Sequence, residues 1–171
     1  MGNRRRRHYT QSEKSEHLSL EMDIRPVKQS DQEEWGRMRS SLYSDPDSQE
    51  IEDWFDAKES GGTCHVGVAV IVADRGDGRL AGFVEIRSRT YAEGCETTPV
   101  AYLEGWYVDP DVRLTGLGAS LVQAAETWAL QHGFSEMASD TELDNDISLQ
   151  AHIALGFEEV ERQICFMKRL R

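Results

Sequence analysis

Cysteine is scarce. Cys64, Cys95 and Cys165 are far apart and odd in number. There is no C-x-x-C pair and no close Cys/His grouping, which speaks against a structural zinc, and no metal is expected. A scattered odd set also speaks against a disulfide framework and fits a reducing cytoplasm. Long apolar runs are missing too. Nothing approaches the roughly 20 residues of a membrane span. No apolar segment near the start resembles an export signal, so no membrane partner and no export are expected.

Basic charge is also in short supply, with 19 Lys and Arg against 31 Asp and Glu. Five of the basic residues and three of the acidic ones fall in residues 1–21, a polar stretch without sustained period. Removing them leaves 14 basic and 28 acidic residues, a net charge of −14 on the body. Such a body repels nucleic acid and anionic membrane, and attracts a polycation. Arg4 to Arg7 match a short nucleic-acid or localisation patch. The plainer reading is a disordered extension ahead of a start at Met22. The expected organisation is therefore a disordered stretch, 1–21, and one domain, 22–171.

From Met22 the pattern is regular. Met22 to Val27 reads as a strand. Ser30-Asp-Gln-Glu33 resembles a capping box before a helix that carries Trp35, Met38 and Leu42 on one face. Ser48 caps a second helix, Gln49 to Glu59, which ends at Gly61-Gly62. His65 to Ala73 and Leu80 to Arg87 form two strands about the turn Asp74 to Gly78. Arg89 to Pro99 is a polar loop longer than a hairpin needs, open to a binding role or to plain solvation.

The stretch Val100 to Gly133 organises the chain. An apolar, aromatic strand ends at Asp109-Pro110. The loop Arg113-Leu-Thr-Gly-Leu-Gly118 follows, then a helix with Leu117, Leu121, Val122, Ala125, Trp128 and Ala129 on one face. A glycine loop feeding a helix start presents unpaired N–H groups and favours an anion, so this unit reads as a pyrophosphate seat or as a plain cap. No G-K-[ST] follows, and the third glycine of the dinucleotide fingerprint is absent. Ser135 to Asp140 is a short strand. Asp146 caps a helix to Leu155, and Glu158 to Arg162 and Ile164 to Lys168 close the chain as strands. The fold class is α/β, with helices on both faces of one mixed sheet.

The strand Val100 to Val108, the loop Arg113 to Gly118, and Asn145 with Leu155-Gly156-Phe157 stand in the order and spacing of the GNAT-type N-acetyltransferases, which the chain resembles from Met22 to Arg171. Met22-Asp-Ile-Arg25, Tyr91-Ala-Glu-Gly-Cys95, Leu103-Glu-Gly105, Met137-Ala-Ser-Asp-Thr141 and Gly156-Phe-Glu-Glu-Val-Glu-Arg162 more narrowly resemble aminoglycoside 6′-N-acetyltransferases. The resemblance implies a mixed central sheet whose splayed strands form the acetyl-coenzyme A cleft. Acetyl-coenzyme A is then donor and co-substrate, an aminoglycoside is acceptor, and the assembly is a homodimer. Trp106, Tyr107 and Val108 would offer backbone groups to the pantetheine amides, or simply pack in the core. Arg113, Leu114, Thr115, Gly116, Leu117, Gly118 and Ala119 would hold the pyrophosphate, and Asn145 would bond the arm from the far side.

An acceptor amine arrives as an ammonium, because an alkyl amine titrates near ~10.4 in water. Only its neutral form attacks a thioester, so a carboxylate, acting directly or through water, must take a proton. Asp140, at the end of a strand beside the splay, is the first candidate, and Glu104 the second. Alternation puts Tyr102, Glu104 and Trp106 on one face unless a bulge at Gly105 intervenes. Glu161 is a candidate for further ammonium groups, with Tyr43 and Tyr91 as aromatic walls. Where many relatives place a tyrosine that protonates the departing thiolate, this chain has His152, a residue type that titrates near neutrality. His152 is thus a candidate general acid or a plain helix-face residue. Direct transfer in a ternary complex is expected. A GNAT enzyme for another cationic amine (a polyamine, a protein N-terminus or a lysine) and a non-catalytic binding module stay open.

Overall fold

The computed structural model describes residues 22–43, 51, 52, 54, 55 and 67–170. The extension 1–21, the loop after Tyr43, the ends of the second helix and the Gly61-Gly62 stop lie outside the described residues. Five strands form one sheet: β1 (Asp23–Pro26), β2 (Val68–Asp74), β3 (Leu80–Arg89), β4 (Val100–Val108) and β5 (Met137–Ser139), hydrogen-bonded in that order. The first four run antiparallel, and β5 joins β4 in parallel. That parallel step requires a crossover, supplied by the helix α2 (Leu117–Gln131). The remaining helices are α1 (Gln32–Leu42) and α3 (Asp146–Ala154). Ile51, Glu52, Trp54 and Phe55 are also helical. No described helix is long and apolar enough to cross a membrane.

Each face of the sheet has its own core. On one face the α2 residues Leu117, Leu121, Val122, Ala125 and Ala129 cover Ile71, Val84, Ile86 and Leu103. Burying each large aliphatic side chain contributes about 1.5–3 kcal/mol. On the other face Trp35 and Met38 of α1 join Ile51 and Trp54 over Val72, Phe83 and Tyr107. Trp35 meets the Trp54 and Phe55 rings edge to face, at 5.9 and 5.8 Å.

Two helix starts differ from the sequence expectation. Ser30 is no cap, because Gln29–Asp31 is a 3-10 turn leading into α1. Asp31 holds the N-cap position of α1 without a side-chain cap bond; its carboxylate instead reaches back to the Lys28 N–H at 2.8 Å, at the start of the 3-10 turn, and is forked by Arg25. Arg25 bridges on to Asp74, tying β1 to the end of β2. In α3 the cap is Asn145 rather than Asp146, with Oδ1 accepting from the Ser148 N–H at 3.1 Å.

The larger differences concern β4 and the C-terminus. The β3–β4 register runs Glu85 to Gly105 and then Ile86 to Leu103, so Glu104 is an extra residue. A bulge of this kind reverses the alternation beyond it. Leu103 and Trp106 therefore share the α2 face, while Tyr102 and Tyr107 face away from it, and the grouping of Tyr102 with Trp106 fails. The bulge rests on a buried polar cluster. Glu85, 1% exposed, accepts from Trp35 Nε1 at 2.9 Å and lies 3.1 Å from Arg39 Nε. The Tyr43 hydroxyl lies 3.3 Å from Glu85 Oε2 and 3.2 Å from the Glu104 carbonyl oxygen. At Gly105 a Cβ would meet Tyr43 Oη at 2.5 Å and Glu85 Oε2 at 3.2 Å. Finally, residues 157–170 form no strand, contrary to the two strands expected there. A strand needs an edge to pair with, and within one chain this segment leaves Val160, Ile164, Phe166 and Leu170 exposed.

The crowding at Gly105 generates a stability prediction. Gly105→Ala should destabilise the fold by about 1–3 kcal/mol, the usual cost of overpacking. Tyr43→Phe removes the atom that clashes first, so the double variant should lose less than the sum of the two singles. Urea unfolding of the four proteins in a double-mutant cycle measures this; strict additivity would count against the steric account.

Candidate active site

The donor side of the site is built from main chain. Asp109 ends β4 and is anchored three ways: its N–H donates to Ala81 O at 2.8 Å, Arg37 forks its carboxylate at 3.0 Å, and Arg75 adds a bond at 3.2 Å. The Asp109–Ala81 bond also sets the phase of the antiparallel ladder. Tyr107 and Gly105 direct their N–H and C=O groups to β3, whereas Trp106 and Val108 direct theirs to the other side. On that side β5 pairs with β4 only from Ala101 to Leu103. Beyond Leu103 and Ser139 the two strands part, and the Trp106 and Val108 amides face the gap. Of the three residues expected to offer backbone groups there, Tyr107 does not.

At the far end of the gap, Gly116 caps α2 at φ 94°, a left-handed conformation natural to glycine. A side chain there would meet nothing within 4 Å, so the approach is open. The first helical bond of this turn is Ser120 N–H to Gly116 O, which leaves the Leu117, Gly118 and Ala119 N–H groups without a partner among the described residues. Their dipoles and the helix start favour an anion. Leu114 also takes a positive φ of 62° and is fully exposed. The Thr115 hydroxyl donates back to Val112 O at 2.7 Å. Arg113 Nε donates to Val108 O at 2.9 Å, so this arginine sits across the mouth of the gap with its terminal amino groups unbonded among the described residues. Gly118 packs on the Trp106 indole, whose buried N–H lacks an acceptor among the described residues. The Asn145 Oδ1 is occupied by its capping bond, leaving the amide NH₂ for another partner.

The other side of the candidate site is a cavity of about 900 Å³ along the outer edge of β5. Tyr102, Ser139, Asp140, His152, Glu136 and Glu161 contribute to its wall. Asp140 is exposed just past β5. It lies close enough to Tyr102 to help burial push that hydroxyl well above its ordinary range. Glu104 is occupied differently. Arg89 forks its carboxylate through Nε, at 2.8 Å, and an NH₂ group, and lies over the Tyr102 ring. The Glu104 hydrogen bond, foremost, raises the Arg89 pKa. Both Glu104 oxygens are thus engaged by Arg89, whereas Asp140 stands exposed at the cavity.

His152 lies on α3 with its Nδ1 2.8 Å from Ser148 O and its Nε2 3.0 Å from Ser139 Oγ. Its ring stands edge-on to Trp106 at 5.4 Å and to Phe157 at 5.1 Å. Glu161 reaches the cavity from the exposed C-terminal segment. Tyr43 does not reach it: its hydroxyl is behind the β4 bulge. Tyr91 is 68% exposed and outside the cavity wall. Arg89 carries no signal in the sequence, and Ser139 stands out there only as part of the Met137–Thr141 motif; the β3 and β5 registers bring both to the site. Glu136 was equally hidden; its carboxylate accepts from the Glu96 and Thr97 N–H groups and from the Thr97 hydroxyl, fixing the 90–99 loop beside the cavity.

The chain is similar to known proteins over most of its length. The acetyltransferase (GNAT) family pattern matches residues 26–157. An aminoglycoside N(6′)-acetyltransferase type 1 from Klebsiella aerogenes is 44% identical over 147 residues, 86% of this chain and 96% of the relative. Another from Salmonella enteritidis is 37% identical over 150 residues, 86% of this chain and 99% of its own. Among solved structures, AAC(6′)-Iy in complex with the bisubstrate analog CoA-S-monomethyl-acetylneamine superposes with a TM-score of 0.76 at 36% identity, covering 87% of this chain and 99% of that one. With the parted strands, the left-handed glycine cap and the family pattern in agreement, the chain belongs to the GNAT acetyltransferase family.

Proposed function

We propose that this chain transfers the acetyl group of acetyl-coenzyme A to the 6′-amino group of aminoglycosides, by direct attack in a ternary complex, and so confers resistance. The observation that carries the reading is the gap between β4 and β5. It joins an anion seat at Gly116–Ala119 to an acid-lined cavity at Asp140. The pyrophosphate takes the α2 N–H groups, with Arg113 alongside. The pantetheine arm then lies in the gap against the Trp106 and Val108 amides, with Asn145 opposite. The aminoglycoside enters the cavity as a polycation, drawn by Asp140, Glu161 and the net negative charge of the body. Asp140 removes a proton from its ammonium, directly or through water, and the freed amine attacks the thioester carbonyl. A Trp106 or Val108 N–H supports the oxygen as it gains charge. Competition between kanamycin-like amines and a panel of polyamines and peptides tests the choice of acceptor. Preferential turnover of the polyamines would overturn it.

A homodimer forms part of this reading. Val160, Ile164, Phe166 and Leu170 lie at even-numbered intervals in the C-terminal segment and are exposed, and no strand follows β5 at its outer edge among the described residues. An exposed apolar segment and an open sheet edge on one molecule suit pairing between two copies.

Three outcomes check the reading. Gly116→Asp should raise KM for acetyl-coenzyme A far more than KM for the acceptor, because it adds a side chain and a like charge at the anion seat; unchanged donor affinity would remove the seat. Asp140→Asn should lower kcat by roughly 10²–10⁴-fold if proton removal dominates, with the acidic limb of the kcat/KM profile lost and donor affinity kept. If binding dominates instead, acceptor KM should rise with kcat kept. A parental profile in every respect would end the role of Asp140. Sedimentation at micromolar concentration should give twice the 19.4 kDa chain mass; a monomer alone would refute the dimer.

A further inference from the structure

The proposed transfer leaves one proton without a carrier. Asp140 serves the incoming amine, but the departing coenzyme thiolate also needs a proton. The group at the point where β4 and β5 part is Ser139, the last residue of β5. Its hydroxyl lies 3.0 Å from the Leu103 carbonyl oxygen and 3.0 Å from His152 Nε2. On the far side of the ring, Nδ1 lies 2.8 Å from Ser148 O and 3.3 Å from Ser148 Oγ. Ser139, His152 and Asp140 all line the one cavity.

Hydrogen counting restricts what this chain of groups does. A carbonyl oxygen only accepts, so the bond to Ser148 O places a proton on Nδ1. In the neutral imidazole Nε2 is then a bare acceptor, and the single Ser139 hydrogen points to it. In the imidazolium Nε2–H donates to Ser139 Oγ, and the Ser139 hydrogen is turned outward, held by Leu103 O. The serine hydroxyl thus switches direction with the charge of the ring, and in the charged state it has a proton to give.

We propose that Ser139 is the catalytic residue that protonates the thiolate, with His152 as its proton source. This deepens the acetyl-transfer reading and rests on it. As the C–S bond breaks, its electron pair goes to sulfur, and the nitrogen, made cationic by the attack, releases its second proton to water. The Ser139 O–H bond breaks and an S–H bond forms. At the same time the His152 Nε2–H bond breaks and the proton passes to Ser139 Oγ. The hydroxyl is restored, the imidazole is left neutral with Nδ1–H, and solvent reprotonates it before the next turnover. Neither an acetylated serine nor any co-reactant is required. His152 is held for this by its three hydrogen-bond contacts and by the two aromatic edges of Trp106 and Phe157.

The test is steady-state kinetics on the full chain with acetyl-coenzyme A and a kanamycin-like acceptor. Ser139→Ala and His152→Gln should each lower kcat by roughly 10²-fold, the lower end for a positioned proton donor, with both KM values nearly kept. Ser139→Thr should restore most of the rate, because it restores a hydroxyl. The double variant should be no slower than the slower single, as expected of groups that act as one unit. The parental proton inventory in mixed H₂O and D₂O should need two moving protons, and that of Ser139→Ala one. ¹⁵N spectra recorded where the ring is neutral should show its proton on Nδ1. Parental kcat in Ser139→Ala, or losses that multiply in the double variant, would overturn the relay. So would an acetylated Ser139 peptide in quenched reactions, since it would make the serine a nucleophile. A parent enzyme that fails to acetylate the acceptor would instead sink the functional reading itself, so the two failures are distinguishable.

Discussion

The site depends on a carboxylate removed from water. Glu85 is almost completely buried, and taking a carboxylate out of water costs several kcal/mol unless its partners replace the solvent. The Trp35 indole N–H and the Arg39 guanidinium make up much of that replacement, and the Tyr43 hydroxyl completes a bridge to the Glu104 carbonyl. The bridge holds the backbone of β4 at its extra residue, where glycine alone fits next. Because the bulge shifts the strand by one residue, it decides that Trp106 and Val108 turn their amides to the gap while Tyr107 bonds to β3. A purely regular β4 would have done the reverse. The geometry of the donor cleft is therefore set on the opposite face of the sheet, by residues that do not line it.

The two sides of the site follow different logics. On the donor side the polar groups are mostly peptide N–H groups at a helix start and along an unpaired strand end, fixed by secondary structure. On the acceptor side they are side chains from β4, β5, the 90–99 loop and the C-terminal segment, held by one another: Glu104 by Arg89, Tyr102 by Arg89 and Asp140, the loop by Glu136. α3 buries none of its residues, which suits a helix whose inner face closes over a bound molecule rather than over a core.

Much of this was legible in the sequence, and the exceptions have a common cause. The hairpin, the apolar stripes of α1 and α2 and the glycine loop are local or periodic signals, and the structure reproduces them. Asp140 and His152 could be placed because a strand end and a helix position are local facts. What escaped was decided by partners distant in sequence. Ser30 lies inside a 3-10 turn whose Asp31 carboxylate is engaged by Arg25 of β1. Tyr43 was taken for an acceptor wall, yet its hydroxyl turns to Glu85, forty-two residues on. The alternation in β4 failed because the bulge belongs to the β3–β4 register. The closing segment, 157–170, pairs with no described strand of the same chain, not even the open edge of β5.

The backbone origin of the donor seat has a consequence for how such a chain changes over time. A contact made by a peptide N–H has no side chain to lose, so the exposed Ala119 is free to drift so long as Gly116 keeps its left-handed turn and the helix starts in place. Contacts made by Tyr102, Asp140 and Glu161 have no such shelter, and single nucleotide changes there reshape the cavity without touching the coenzyme. Under the proposed function, drift in this scaffold is thus channelled toward the choice of acceptor, while the anion seat stays constant.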